Sequence, residues 1–225
     1  RGALMLTISV HHPQIRDFVK IKRELTRVTG ANISVRVTDE FMTAVKAETE
    51  YIQRWPVDSK TPEVHDHVDA KEVWDALIEG AHASAEPGVL FWDTATQMTP
   101  SDAYAEDGFG SVSTNPCGEI ILSPYDSCRL MLVNLTSFVT NPWEDNALFD
   151  YGHFREVTKK AQRLMDDMID LEIEQIDKIL TKIDNDPESD DVKYYEKGLW
   201  QKIREVAIKG RRTGLGITGL GDAIA

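Results

Sequence analysis

Cysteine is the scarcest chemistry-bearing residue here. Only Cys117 and Cys128 occur in 225 residues. So few exclude a disulfide framework and point to a reducing compartment. Cationic residues are also short: 25 Lys and Arg stand against 38 Asp and Glu, a net charge of −13. That balance argues against broad nucleic-acid binding, which needs a basic face, and for an acidic, soluble surface. No apolar run approaches the ~20 residues of a transmembrane helix. The opening residues carry no signal-peptide pattern. A cytoplasmic protein without membrane or direct nucleic-acid contacts is expected. There is no internal repeat and no low-complexity segment. The sequence opens on Arg1-Gly2 straight into apolar Ala3-Leu4-Met5-Leu6 and closes in mid-pattern at Asp222-Ala223-Ile224-Ala225. An internal piece of a longer protein is expected.

What is present is enough for a core: 225 residues, 41% of them hydrophobic, suit one large domain or two small ones. Leu4 to Val10 is an apolar, β-rich run and reads as a buried strand. Pro13 to about Leu25 places Ile15, Phe18 and Val19 at helical spacing, with Pro13 in a first turn. From Ala31 to Thr38, Ile33, Val35 and Val37 alternate with Asn32, Ser34 and Arg36, which predicts a strand with one polar face. Thr38 or Asp39 caps a helix carrying Phe41, Met42 and Val45. Tyr51 to about Asp69 reads as a polar excursion. Glu72 to Ser84 is helical, with Val73, Leu77 and Ala81 on one face. Val89 to Trp92 is a short buried strand, and Asp93 to Val112 a long loop of a length that is uncommon unless functional. Ile120 to Leu122 and Leu130 to Val139 are apolar runs. From about 151 to 209 the chain is mostly helical, with Leu164, Met165, Met168, Leu171, Ile176, Ile179 and Ile183 in one amphipathic stripe. This order of strands and helices predicts an α/β fold.

The chemistry gathers in Ser113-Thr114-Asn115-Pro116-Cys117-Gly118-Glu119-Ile120. Proline fixes φ and glycine admits conformations other residues avoid, so N-P-C-G is a tight loop. Were it extended, Asn115, Cys117 and Glu119 would point the same way, bringing an amide, a thiol and a carboxylate to one small volume. The plain alternative is a buried structural cysteine beside a turn.

Other motifs compete. Asp166-Asp167-Met168-Ile169-Asp170 matches D-D-x-x-D. On a helix Asp166 and Asp170 share a face and suit Mg²⁺, which makes a Mg-dependent enzyme or binding module the alternative function; the plain reading is a solvated acidic face. Gly214-Leu215-Gly216-Ile217-Thr218-Gly219 spells G-x-G-x-x-G, but a basic helix exit precedes it where a dinucleotide site needs a buried strand. A closely packed helix-to-strand turn is expected. His11-His12 and His65-Asp66-His67 lack the partners of a metal site and are expected to be loop histidines in water. Trp55, Trp74, Trp92, Trp143 and Trp200 read as core or rim. Cys117 and Cys128 are eleven positions apart, which excludes a C-x-x-C redox motif. Two roles, a reaction initiator and a reductant, fit them.

Over nearly its whole length the chain resembles the catalytic large subunit of ribonucleotide reductases. Asn115-Pro116-Cys117-Gly118-Glu119 is similar to that family's finger-loop motif. Arg1-Gly2-Ala3-Leu4 resembles the end of the specificity loop with its following strand. Glu86-Pro87-Gly88 and Phe91-Trp92-Asp93 resemble the strand before the finger, and Arg211-Arg212-Thr213-Gly214-Leu215-Gly216 a later strand entry. The resemblance implies a partial ten-stranded α/β barrel around a central finger loop at about 113–122, with residues 1–225 an internal part of that barrel. It implies radical reduction of ribonucleoside di- or triphosphates to deoxyribonucleotides. In that scheme Cys117 carries a thiyl radical that takes the 3′ hydrogen, Glu119 is the base, Asn115 hydrogen-bonds the ribose hydroxyls and Cys128 is one of the redox pair. Substrate contacts are expected from Arg1, Gly2, Ala3, Ser113, Thr114, Asn115, Pro116, Cys117, Gly118 and Glu119.

The proline and glycine around Cys117, and the spacing to Cys128, are most similar to the class that uses adenosylcobalamin. The alternative is a radical from a separate metal-containing small subunit. Implied partners are a thioredoxin- or glutaredoxin-type reductant, nucleotide effectors on regions not in this sequence, and a second copy in a homodimer. The partner of Cys128 is expected before Arg1, and the 225 residues alone are expected to be inactive.

Overall fold

The computed structural model describes residues 2–24 and 26–225. The chain forms two compact units, Arg1–Pro124 and Tyr125–Ala225. In chain order the first holds β1 (Leu4–Ser9), α1 (Ile15–Lys20), β2 (Ala31–Val37), α2 (Asp39–Ala47), β3 (Glu50–Trp55), β4 (Val64–Asp69), α3 (Ala70–Ser84), β5 (Gly88–Phe91), α4 (Trp92–Met98), β6 (Ser113–Thr114) and β7 (Ile121–Leu122).

The centre of this unit is a parallel sheet ordered β1-β2-β5. Its register sets Met5, Thr7 and Ser9 beside Asn32, Ser34 and Arg36, and sets Ser34 and Arg36 beside Gly88 and Leu90. Side chains alternate across a strand, so the sheet has two distinct faces. The apolar face, with Val35, Val37, Ile8 and Val10, meets Ile15 and Val19 of α1, Phe41 of α2 and Val73 and Leu77 of α3. Each such side chain, fully buried, contributes about 1.5–3 kcal/mol. The polar face carries Thr7, Asn32, Ser34 and Arg36. Strands β2 and β5 approach so closely that a Cβ on Gly88 would lie 2.7 Å from Ser34 Oγ, which is why glycine stands there. Thr38 caps α2 by accepting from Phe41 N–H, and Asp69 caps α3 by accepting from Glu72 N–H, as expected for these residue types.

Several expectations are corrected. The strand at Leu4 is not buried throughout: Leu4 and Leu6 are 61% and 44% exposed, because the helices covering this face reach only Ile8 and Val10. The helix after Pro13 runs over α1 and a 3₁₀ turn at Ile21–Arg23; Leu25 lies outside the described residues. The polar excursion is an antiparallel hairpin, β3 with β4. Much of the long loop is helical, as α4 and a 3₁₀ segment Pro100–Asp107. His11 is no solvent histidine. It is 1% exposed, with Nδ1 2.8 Å from the Ile52 carbonyl and Nε2 2.9 Å from Thr38 Oγ1. His65 and His67 lie on β4 rather than in a loop.

The second unit holds β8 (Arg129–Asn134), β9 (Val139–Thr140), β10 (Leu148–Phe149), α5 (Tyr151–Asn185), α6 (Asp190–Gly210), β11 (Thr213–Thr218) and α7 (Leu220–Ile224). Strands β8 and β11 pair in parallel. Their core joins Val133, Phe138 and Ala161 to Met131, Phe149, Phe154, Val157 and Leu215. Of the expected stripe α5 buries Met165, Ile176 and Ile183, together with Ile169, one or two turns apart as a 3.6-residue period requires; Leu164, Met168 and Leu171 are exposed instead.

The fold is α/β, as the sequence implies. Among the described residues the strands form one three-stranded sheet and four two-stranded pairs, with no closed barrel. Three and two parallel strands are too few to close on themselves, since even eight leave an interior only wide enough for side chains.

Candidate functional site

The stretch around Cys117 is a hairpin. Strands β6 and β7 pair antiparallel, with Ser113 opposite Leu122 and Thr114 opposite Ile121. Between them Gly118 N–H donates to the Asn115 carbonyl at 3.0 Å, closing a β-turn with Pro116 and Cys117 at its centre. Asparagine first, proline second and glycine fourth is the order such turns favour. Gly118 has φ of +83°, a conformation in which an L side chain is strained. The loop is therefore turned, not extended, and Asn115, Cys117 and Glu119 do not align by simple alternation. Asn115 folds back: its Oδ1 accepts from Ile120 N–H at 2.9 Å and its own N–H donates to the Ile120 carbonyl at 3.1 Å. Thr114 Oγ1 donates to the Asn115 carbonyl at 2.9 Å. Cys117 and Glu119 are left exposed on either side of Gly118.

The hairpin lies on the polar face of the sheet. Thr7 Oγ1 and Ser113 Oγ are 3.1 Å apart, Asn32 Nδ2 donates to the Pro116 carbonyl at 2.6 Å, and Arg36 Nη1 donates to the Val112 carbonyl at 3.0 Å. Arg36 also stacks over Trp92, 4.9 Å from the ring centroid. Desolvation holds the Arg36 pKa below its ordinary value, against the raising field of Asp58. Sequence reasoning assigned Thr7, Asn32 and Arg36 no part in the site. The signal is the polar alternation of β2, which in sequence marks a polar face without naming what covers it. Gly2 and Ala3 precede β1 and are exposed; Arg1 lies outside the described residues.

Cys128 sits immediately before β8, half-buried and, like Cys117, a free thiol. Burial pushes its pKa up; Arg212 pulls it down, Asp126 pushes it up and Arg129 pulls it down. Both arginines are anchored, Arg212 Nη1 to Asp126 Oδ2 at 3.1 Å and Arg129 Nε to Glu172 Oε2 at 2.7 Å. The Asp126 side chain is only 3% exposed. Gly214 on β11 lies against the thiol: a Cβ there would be 3.0 Å from Cys128 Sγ and 2.6 Å from Leu130 Cδ2. Gly214 to Thr218 of the G-x-G-x-x-G are thus strand and Gly219 caps α7, although the expected close packing is found.

The acidic motif is a solvent-exposed face, as its plain reading expects, and its carboxylates are ion-paired. Arg211, in the left-handed conformation at the end of α6, donates to Asp166 Oδ1 at 2.7 Å, Asp170 Oδ1 at 2.8 Å and the Asp166 carbonyl at 2.9 Å. Asp167 accepts from Arg163 at 2.9 Å. The carboxylates that a divalent cation would need already hold guanidinium groups. Among the described residues no three His, Cys, Asp or Glu side chains are arranged to hold a metal ion.

Fold and hairpin together define an α/β protein that presents a thiol and a carboxylate at the tip of a turn. The whole chain, residues 1–225, matches the family described as ribonucleotide reductase, barrel domain, and the chain belongs to that family. It is 35% identical over 183 residues to a vitamin B12-dependent ribonucleoside-diphosphate reductase of Thermoplasma acidophilum, covering 80% of this chain and 22% of that protein. It is 33% identical over 227 residues to the Mycobacterium tuberculosis protein of the same name, covering 100% of this chain and 28% of the other. Among solved structures it resembles the Actinobacillus ureae class Id ribonucleotide reductase alpha subunit, with a TM-score of 0.59 at 18% identity, covering 99% of this chain and 34% of that one. That likeness is one of fold. The chain spans about a quarter of the length of these two curated relatives. No helix among the described residues is long and apolar enough to cross a membrane.

Proposed function

We propose that this chain carries the radical thiol of a ribonucleotide reductase, which converts ribonucleoside di- or triphosphates to 2′-deoxyribonucleotides for DNA synthesis. The observation that carries the reading is the Asn115–Gly118 turn, which presents Cys117 and Glu119 on either side of Gly118 in a chain of this family. In this reading a Cys117 thiyl takes the 3′ hydrogen of the ribose and Glu119 accepts the 3′-OH proton. A carboxylate within hydrogen-bond reach of that hydroxyl is what general base catalysis needs. Asn115 already engages its Oδ1 within the hairpin, so its contact to a ribose hydroxyl is donation from Nδ2. Two electrons and two protons come from a cysteine pair of which Cys128 is one member. The 2′-OH leaves as water, the pair becomes a disulfide, the 3′ hydrogen returns from Cys117, and a thioredoxin- or glutaredoxin-type protein restores the dithiol. Burial favours the thiol form of Cys128, the form that has a proton to give.

The radical source we assign is adenosylcobalamin, in keeping with the names of the two relatives; the alternative is a separate metal-containing subunit. The residue that would meet the cofactor is Cys117, and it fits, because its thiol is exposed at a turn tip and open to a bulky organic group. When bound, the cofactor supplies one-electron abstraction of the thiol hydrogen. The test is a reductase assay on the full-length protein with and without adenosylcobalamin, beside Cys117→Ser. Turnover should need both the cofactor and the thiol. Turnover by the Cys117→Ser protein would end the reading. Turnover that requires a metal-containing subunit in place of the cofactor would move it to the alternative class.

A further inference from the structure

We propose that Asn32 is a positioning residue for Cys117, fixing the direction of its thiol through the Pro116–Cys117 peptide. The inference rests on the reductase reading of Cys117 and adds a residue to it. The Asn32 carboxamide donates from Nδ2 to the Pro116 carbonyl at 2.6 Å. That carbonyl belongs to the peptide that ends in the Cys117 nitrogen. Holding its oxygen sets the rotation of the peptide plane, and with it the bond from which the Cys117 side chain leaves.

Three further contacts show that this is a seat and not an isolated touch. Asn32, Ser34 and Arg36 share one face of β2, and Arg36 grips the Val112 carbonyl at the base of the hairpin. Thr7, next to Ser34 across the β1–β2 register, meets Ser113. Leu90, next to Arg36 across the β2–β5 register, faces Gly118, where an added Cβ would lie 3.9 Å from Leu90 Cδ2. The hairpin is thus held along its first arm, at Val112 and Ser113, and at the tip, where the hydrogen bond is that of Asn32. Its own side chain is exposed and is no part of the apolar core, so its hydrogen bond serves the loop.

The experiment uses the full-length protein with Asn32→Asp, which keeps shape but presents an acceptor to the carbonyl, and Asn32→Ala. Thermal unfolding, the KM for ribonucleotide, kcat and the isotope effect with 3′-deuterated substrate are measured. The expected result is a fall in kcat of about 10-fold to 100-fold, the scale on which misplacing a reacting group costs rate. KM should stay within about twofold, unfolding should be unchanged, and the isotope effect on kcat should rise as hydrogen transfer becomes limiting. A wild-type kcat and isotope effect in Asn32→Asp, a rise in KM alone, or loss of folded protein in both variants would overturn the proposal. Cys117→Ser separates the two levels. If that variant still turns over, the reductase reading has failed; if it is dead while Asn32→Asp is normal, only the role of Asn32 has failed.

Discussion

Asn115 and Ile120 share two hydrogen bonds, one accepted by the Asn115 side chain and one donated by its backbone N–H, so a single residue both closes the hairpin and stands two positions from Cys117. The two roles separate by substitution. Asn115→Ala leaves the Ile120 N–H without its acceptor and should cost about 1–3 kcal/mol, read as faster hydrogen exchange at Ile120. Asn115→Asp keeps the acceptor and should keep Ile120 protected, yet it loses the Nδ2 donor and should lose most turnover. An Asn115→Asp protein with normal turnover would remove the ribose contact from the scheme.

Gly216 within β11 and Gly219 just after it predict a graded response. Gly219 has φ of +70°, and a Cβ there would lie 2.6 Å from Asn134 Oδ1, the atom that caps the following 3₁₀ turn. Gly219→Ala should cost about 1–3 kcal/mol. A Cβ on Gly216 would meet only Leu132 Cδ2, the end of a flexible and exposed side chain, so Gly216→Ala should cost under about 1 kcal/mol. Denaturant unfolding measures both. Equal costs would argue against this packing.

Arg211 gives a signed pH dependence. Its hydrogen bond, and secondarily its charge, hold the Asp166 carboxyl below the ordinary value of 3.8. A lowered carboxylate pKa stabilises the fold above its unfolded value, and that stability is lost as pH falls through the folded value. The stability difference between wild type and Arg211→Leu should therefore be full near neutrality and shrink as pH drops below about 4. A difference that grows on acidification would contradict the clasp.

For Cys128 the signs are set by its neighbours. Burial and Asp126 raise its pKa, whereas Arg212 and Arg129 lower it. The pH midpoint for alkylation of Cys128, followed by mass spectrometry of its peptide, should lie above that of an ordinary thiol. Asp126→Asn should bring it down and Arg212→Gln should raise it further. Opposite movements would mean that the two side chains do not govern this sulfur.

Local patterning made much of the fold legible. The alternation of Ile33, Val35 and Val37 marked β2, and the stripe from Met165 to Ile183 marked α5. The hairpin β3–β4 escaped because its inward positions pair Tyr51 with a buried Gln53, whose amide donates to the tyrosine hydroxyl; a polar inward residue breaks the apolar alternation. Helix α4 escaped because it has no side-chain cap and few strong helix formers. It is tied down instead by tertiary contacts, with Trp92 under Arg36 and Asp93 Oδ2 accepting from Asp39 N–H at 2.7 Å. His11 looked like a loop residue because its two hydrogen-bond partners lie 27 and 41 positions away. At the site the motif residues were legible, but the seat beneath them was not. A polar strand face reads alike whether it meets water or a hairpin.

The two-faced character of β2 carries an evolutionary consequence. Core packing and the seat of the Cys117 hairpin are written into the same seven residues, on alternate positions. Inserting or deleting one residue in β2 would turn Asn32 and Arg36 toward the helices and the valines toward the hairpin, damaging stability and the placement of Cys117 in a single event. Length variation among relatives should therefore be purged from β2 and collect in segments that serve only one of the two, such as the acidic connection at 186–189 between α5 and α6.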